Sequence, residues 1–219
     1  MLELASLQPV EYLLVGHVAV DLTPAGKQLG GTVSYAALTA RALGLRVGIV
    51  TSAGGDAPLR LLEGIQIFNV PTEHSTVFEN IKTENGRRQI LHHRAAPISF
   101  EHVPPVWRDA PIVHLAPIAQ EVDPAMAKQF DASWVGVTPQ GWLRGWDEKG
   151  SVFAKAWENS EQVPRSSGRR GDQPRRREPR PGGRRMDGAS HPSALSHGRG
   201  SGRGAALARR PAALPSHPC

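Results

Sequence analysis

Three stretches decide the fold: Glu11-Tyr-Leu-Leu-Val-Gly-His-Val-Ala-Val20, then Gly30-Gly31 leading into Thr32-Val-Ser-Tyr-Ala-Ala-Leu-Thr-Ala-Arg-Ala-Leu43, then Arg46-Val-Gly-Ile-Val-Thr-Ser52. The first is apolar, rich in β-branched residues and without helical period, which predicts a strand over 11–20, buried on both faces and ending at Asp21. The second is dominated by Ala and Leu and is followed by Gly44 as a stop, which predicts a helix over 32–43. The third predicts a second buried strand over 46–52. Strand, helix and strand within about 40 residues make a parallel βαβ unit, with the right-handed crossover that such units adopt.

Working outward, the pattern changes between Ser75 and His93. Thr76-Val-Phe-Glu-Asn-Ile-Lys-Thr and Arg88-Gln-Ile-Leu-His-His flank Glu84-Asn85-Gly86-Arg87, and Asn-Gly between two β-rich arms is a hairpin signal. A polar-faced hairpin set into a parallel α/β chain reads as a flap or lid rather than a core layer. Parallel-type strands resume at Ile112-Val-His-Leu-Ala116 and Trp134-Val-Gly-Val-Thr138, and a short helix is predicted over 151–158.

The chain of 219 residues carries 26 Lys and Arg against 20 Asp and Glu, but the charge is unevenly placed. Residues 1–160 have a net charge of −3 and hold all twelve aromatics, whereas residues 161–219 have 13 Arg, four acids and no aromatic. Arg, Pro, Gly, Ser and Ala supply 44 of those last 59 residues. Such a composition cannot bury a core and predicts a disordered basic tail over 159–219. The remaining 1–158 suffice for one α/β domain. The single cysteine, Cys219, excludes an internal disulfide framework and a Cys-based zinc site. No apolar run is long enough to span a bilayer and the first residues lack a basic signal region, so the expectation is a cytoplasmic protein with no membrane partner.

Gly30-Gly31 has two readings: a tight turn that lets the helix approach its strand, or bare backbone admitting a polar ligand to a helix N-terminus. Asp21 either caps a turn or stands at the carboxyl end of the first strand, where open α/β sheets bind ligands. The nine His form no metal pattern and are expected to be solvated, so no metal ligand is assigned. Neither a dinucleotide fingerprint nor a P-loop is present.

In order and spacing, Gly16, Asp21, Gly30-Gly31-Thr-Val-Ser34-Tyr-Ala36, Leu43-Gly44, the following Val/Ile strand and Gly55-Asp56 resemble the amino-terminal half of the ribokinase/PfkB carbohydrate kinases. The hairpin over 75–93 resembles that family's lid, and Thr138-Pro-Gln-Gly-Trp-Leu-Arg144 resembles its segment reading Asp-x-Asn-x-Arg. The resemblance implies a three-layer, Rossmann-like parallel sheet with a β-hairpin lid. It implies ATP-dependent phosphorylation of a sugar or sugar-like hydroxyl, with Mg²⁺, a small sugar or polyol as substrate, and the lid as a candidate homodimer surface. Carried over by position, Asp21, Gly30, Gly31, Ser34 and Arg144 bind substrate, although the family usually has Asn at the place of Ser34. A lid serves such chemistry by excluding water.

The family's late Gly-Ala-Gly-Asp turn, which cradles phosphate and supplies the base, does not occur in the 219 residues. No catalytic residue is therefore assigned, and the chain is expected to be inactive. The tail has the composition of a GC-rich gene read out of frame. Residues 169–178, and again 197–199, can be encoded so that a shift of one base yields segments resembling the family's continuation, so a truncating frameshift near residue 160 is the expectation. The alternative is a non-catalytic protein whose Arg/Gly tail binds nucleic acid by neutralising phosphates. No aromatic interleaves these arginines to stack on bases, which weighs against nucleic acid as a partner.

Overall fold

The apolar run over 11–20 does not form one strand. It splits at Gly16 into β1 (Tyr12–Val15) and β2 (Ala19–Thr23), which belong to different sheets. The expectation of a single strand ending at Asp21 is corrected accordingly: Asp21 lies within β2, outside the core sheet. Hydrophobic pattern cannot see this break, because both halves are equally buried. The cause is at Gly16, where an added Cβ would stand 2.5 Å from the carbonyl oxygen of Ala116, so the chain turns against neighbouring backbone where only glycine fits.

The computed structural model describes residues 7–84, 86–158 and 160–163. The readings of the tail from residue 164 onward, namely disorder, frameshift and nucleic-acid binding, lie outside the described residues. After β2 come β3 (Gly26–Gly30), α1 (Thr32–Ala42), β4 (Val47–Ser52), β5 (Gln66–Val70), β6 (Thr76–Thr83) and β7 (Gly86–His93). They are followed by β8 (Ile112–Leu115), β9 (Trp134–Val137), β10 (Arg144–Trp146) and β11 (Val152–Ala154).

Five strands make an all-parallel sheet in the order β5-β4-β1-β8-β9, with β1 at its centre between β4 and β8. The strand side chains alternate between two apolar layers. Leu14 and Ile49 pack with Val33, Ala37 and Ala40 of α1, while Leu13, Val15, Val50, Val113 and Leu115 pack with Trp107 and Phe130. Both faces are covered, as a parallel sheet requires, but the second is covered by short 3₁₀ turns such as Pro105–Trp107 and Pro124–Gln129 rather than by long helices. The edge strand β9 presents Trp134, which is 58% exposed.

A second sheet of four strands, β3-β2-β6-β7, forms the lid. The predicted hairpin is present as β6 and β7, antiparallel and closing between Thr83 and Gly86. It is joined by a hairpin the sequence did not announce, β2 with β3, where Gly-Lys-Gln-Leu-Gly has little strand propensity and is held by pairing with β2. The strand β2 runs parallel to β6.

The helix expected over 151–158 is also corrected. That segment contains β11, paired antiparallel with β10, because Asp147 accepts from the amides of Lys149 and Ser151 and closes a turn at Gly150. The Gly150 carbonyl then accepts from the Leu91 amide, tying this small hairpin to the lid. No helix of the described residues is long and apolar enough to cross a membrane.

Candidate functional site

Between the lid sheet and the loops beyond the core strands lies a cleft of about 1110 Å³. Its lid side comes from Asp21, Phe78, Asn80, Lys82, Arg87 and Gln89; its floor comes from Gly31, Thr32 and Tyr35 at the start of α1, with Ile118, Gln140 and Arg144 opposite.

The glycine pair explains why these parts meet. Gly31 has φ 89°, and a Cβ there would stand 2.4 Å from the carbonyl oxygen of His17. A Cβ on Gly30 would stand 2.5 Å from Oδ2 of Asp21. The two residues therefore let α1 begin directly beneath the Asp21 carboxylate. The helix receives no side-chain cap at Gly31 and has no acid in its first turn, so its positive end is left toward the cleft.

Asp21 is held from the lid: Asn80 Nδ2 donates to its Oδ1 at 3.2 Å. The Asn80 oxygen in turn accepts from Gln89 Nε2 at 2.9 Å and from Arg87 Nη2. Asn80 and Gln89 are directly paired across β6 and β7, so the strand register delivers this polar chain to the carboxylate. Arg144 reaches the cleft from β10, its guanidinium 5.3 Å from the centre of the Phe78 ring, with Nη1 donating to the Ile118 carbonyl at 3.3 Å. Burial, with the like charge of Arg87 added, lowers the Arg144 pKa, while Asp21 and Glu121 act in the opposite sense.

Of the residues singled out in the sequence, Asp21, Gly31 and Arg144 line this cleft, whereas Gly30 is buried against the Asp21 carboxylate. Ser34 does not line it. Its hydroxyl is fully buried and donates to the Gly30 carbonyl at 2.7 Å, fastening the first turn of α1.

The sequence reading missed the joint below the cleft. His17 was expected to be solvated, and it is wholly buried. Its Nε2 donates to the Ala96 carbonyl at 2.8 Å, and its Nδ1 pairs with the Thr76 hydroxyl at 2.7 Å. Glu121, buried beside it, accepts from the backbone N–H groups of His17, Ile118 and Ala119 at 2.7–3.0 Å. This cluster pins the β1–β2 crossing, the start of β6 and the loop after β8 to one another. Only the unusual run His-Leu-Ala-Pro-Ile-Ala-Gln-Glu, placing one acid after an apolar loop, hinted at it.

Mg²⁺ in phosphoryl-transfer sites is held by one or two carboxylates together with phosphate oxygens. In this cleft Glu79 is already bonded to His92 at 2.8 Å, which leaves Asp21 alone, and among the described residues no three His, Cys, Asp or Glu converge. Asp21 is thus the carboxylate of this cleft that would share an ion with phosphate oxygens, and no step is assigned to the ion.

No family model matches the sequence, and no curated protein matches it. Solved structures do match in fold. A sulfate complex of a pyrophosphate-dependent kinase in the ribokinase family aligns over 67% of this chain and 56% of its own, with TM-score 0.56 and 18% identity. A pyrophosphate-dependent ribokinase-family kinase complexed with a pyrophosphate analogue and myo-inositol aligns over 67% and 55%, with TM-score 0.56 and 19% identity. A myo-inositol-3 kinase made by mutation from a pyrophosphate-dependent myo-inositol-1 kinase gives TM-score 0.55 at 17% identity. The chain spans little more than half the length of these structures.

Proposed function

We propose that this chain, whose described part has the fold of the ribokinase-family kinases, forms the acceptor-binding part of a phosphotransferase acting on a hydroxyl of a sugar or polyol. The observation that carries this reading is the Asp21 carboxylate, oriented by Asn80 and set over the bare backbone of Gly30 and Gly31 at the open end of α1. A carboxylate accepts from vicinal hydroxyls, and unhindered N–H groups donate to them, so together they hold a polyol in one orientation. The lid sheet covers that position, which is where water exclusion is needed if phosphate is to reach the acceptor rather than solvent. Asp21, Gly31 and Arg144 are the proposed acceptor contacts, and Gly30 makes room for the Asp21 carboxylate. Ser34 acts one step removed, by fixing the Gly30 carbonyl.

Transfer itself needs a base at the acceptor hydroxyl and a cradle for the developing phosphate charge. The Gly-Ala-Gly-Asp turn that supplies both in the family is not in the 219 residues, so the chain as written binds acceptor without turning it over. ATP is the proposed donor of the intact protein, with pyrophosphate the donor to test beside it.

Calorimetric titration of the full chain with myo-inositol and with ribose tests the acceptor site. Binding of one of them is expected, and Asp21→Asn should weaken it ten- to a hundredfold, the worth of a charge-assisted hydrogen bond. No binding of any polyol by the folded chain overturns the assignment. Acceptor-dependent ADP or phosphate release by the same chain would overturn the expected inactivity. Sequencing the locus beyond codon 150 in all frames tests the frameshift: a continuation to Gly-Ala-Gly-Asp in an adjacent frame is expected.

A further inference from the structure

The parallel sheet ends on an open edge. β9 is the last strand in its order and pairs with β8 alone, with the Trp134 amide on the Pro111 carbonyl at 2.9 Å and the Thr138 amide on the Leu115 carbonyl at 3.0 Å. Backbone groups alternate in direction along a strand, so Val135 and Val137 turn their N–H and C=O groups outward. Among the described residues these groups meet no partner.

Proteins blunt such edges with Lys, Pro or a bulge. None is present here: residues 132–138 read Ala-Ser-Trp-Val-Gly-Val-Thr, without a charge or a proline, and the β8–β9 register is unbroken from Ile112 and Trp134 to Leu115 and Val137. Val135 and Val137 pack on the layer of Trp107 and Phe130, whereas Trp134 stands on the other face, 58% exposed. Its ring lies along the strand over Gly136, where an added Cβ would stand 2.8 Å from it. On that face α1 packs over β1 and β4, which leaves the indole uncovered.

The rest of the chain offers no strand to complete this edge. Residues 164–219 contain no Val, Ile, Thr, Phe, Tyr or Trp, the residues in which strands are rich. An identical edge fits. About a two-fold axis through Gly136, β9 meets a second β9 antiparallel, with Val135 opposite Val137 of the partner subunit. The outward groups of the two valines then exchange hydrogen bonds, and with no charge on either strand nothing is repelled across the axis. Gly136 falls on the axis at the non-hydrogen-bonded position, where strands approach most closely, and its missing side chain leaves room for the Trp134 indoles of both copies.

We propose that β9 is a self-association edge, through which two copies of the chain join their core sheets into one continuous sheet with an antiparallel seam. The association is closed, because the two-fold axis occupies the same edge on each copy. No residue of the acceptor cleft takes part, so the inference stands apart from the function proposed above.

Sedimentation velocity of the full chain, from about 1 µM to about 100 µM, reads the association. A monomer–dimer equilibrium is expected, weak because the seam is short. Trp134→Lys adds a charge at an exposed position, and Val135→Pro removes an outward N–H that β8 does not use. Each should weaken the dimer about tenfold or more. If the proline variant loses its fold by circular dichroism, the lysine variant carries the test. Gly136→Cys, in a Cys219→Ser background, should cross-link the dimer under mild oxidation, since the two thiols face each other across the axis. A chain that stays monomeric at about 100 µM overturns the proposal, as does a dimer that neither edge variant weakens, which would place the contact elsewhere, such as the lid. A dimer that Gly136→Cys fails to cross-link, or assembly that grows beyond the dimer, overturns the two-fold seam.

Discussion

The two sheets of this molecule are built on opposite terms. In the core sheet every residue of β4 is buried and β1 is buried from Leu13 to Val15. In the lid sheet burial fades along the strands, so that β6 begins buried and ends exposed, and most of β7 is open. Burying a Leu or Phe is worth about 1.5–3 kcal/mol, so the core holds most of the stability and the outer lid holds little. The lid can therefore spend its residues on Asp21, Asn80, Arg87 and Gln89, a polar row that a core sheet could not tolerate.

The widest separation between the two regions should appear on Trp107→Ala. Trp107 is fully buried in the layer under β8 and donates from Nε1 to the Gln8 carbonyl at 2.8 Å. Its removal is expected to cost about 3–5 kcal/mol in urea unfolding, whereas Asp21→Asn in the lid should change stability by no more than about 0.5 kcal/mol. Equal losses for the two would show that core and lid share one stability after all.

Next in size is Glu121→Gln, at the joint where the two sheets meet. The carboxylate accepts from four backbone bonds, and an amide in its place turns an NH₂ toward donors. A loss of about 2–3 kcal/mol is expected. If the joint is also what carries the lid, hydrogen exchange in β6 should rise more than in β4; a uniform rise would reduce Glu121 to a core residue.

The same contrast explains what was legible in the sequence. The core strands β4, β8 and β9 and the helix α1 were read directly, because continuous apolar runs and an Ala/Leu segment follow from burial. The β6–β7 hairpin was legible from its turn. What the pattern hid were the break at Gly16, set by the distant backbone of Ala116, the pairing of the weak strand β3 with β2, and the turn closed by Asp147 that makes β11 a strand in place of a helix. At the site, the resemblance pointed to Asp21, Gly30, Gly31, Ser34 and Arg144; Asp21, Gly31 and Arg144 line one cleft, while Gly30 lies against Asp21 and Ser34 fastens the first turn of α1. Asn80, Arg87 and Gln89 were missed because alternating polar residues on a hairpin look like a solvated face. His17 and Glu121 were missed because a lone polar residue in an apolar run gives no sign of its partner more than 100 residues away.

The smallest effect sets a titratable group inside the well-buried region. His114 lies on β8, bonded through Nδ1 to the Tyr12 hydroxyl at 2.8 Å and through Nε2 to Thr138 Oγ1 at 2.7 Å. Burial lowers its pKa below the ordinary histidine value. The unfolded chain therefore takes up this proton first as pH falls, which means stability is lost on acidification through about pH 6.5 and down to the folded pKa, and is constant above that window. The urea midpoint should accordingly decline between pH 7.5 and 5.5, and His114→Gln, which keeps a donor and an acceptor, should flatten part of the decline. Were the slope unchanged in that variant, the acid sensitivity would have to arise elsewhere, and His114 would belong to the solvated histidines that the sequence had suggested.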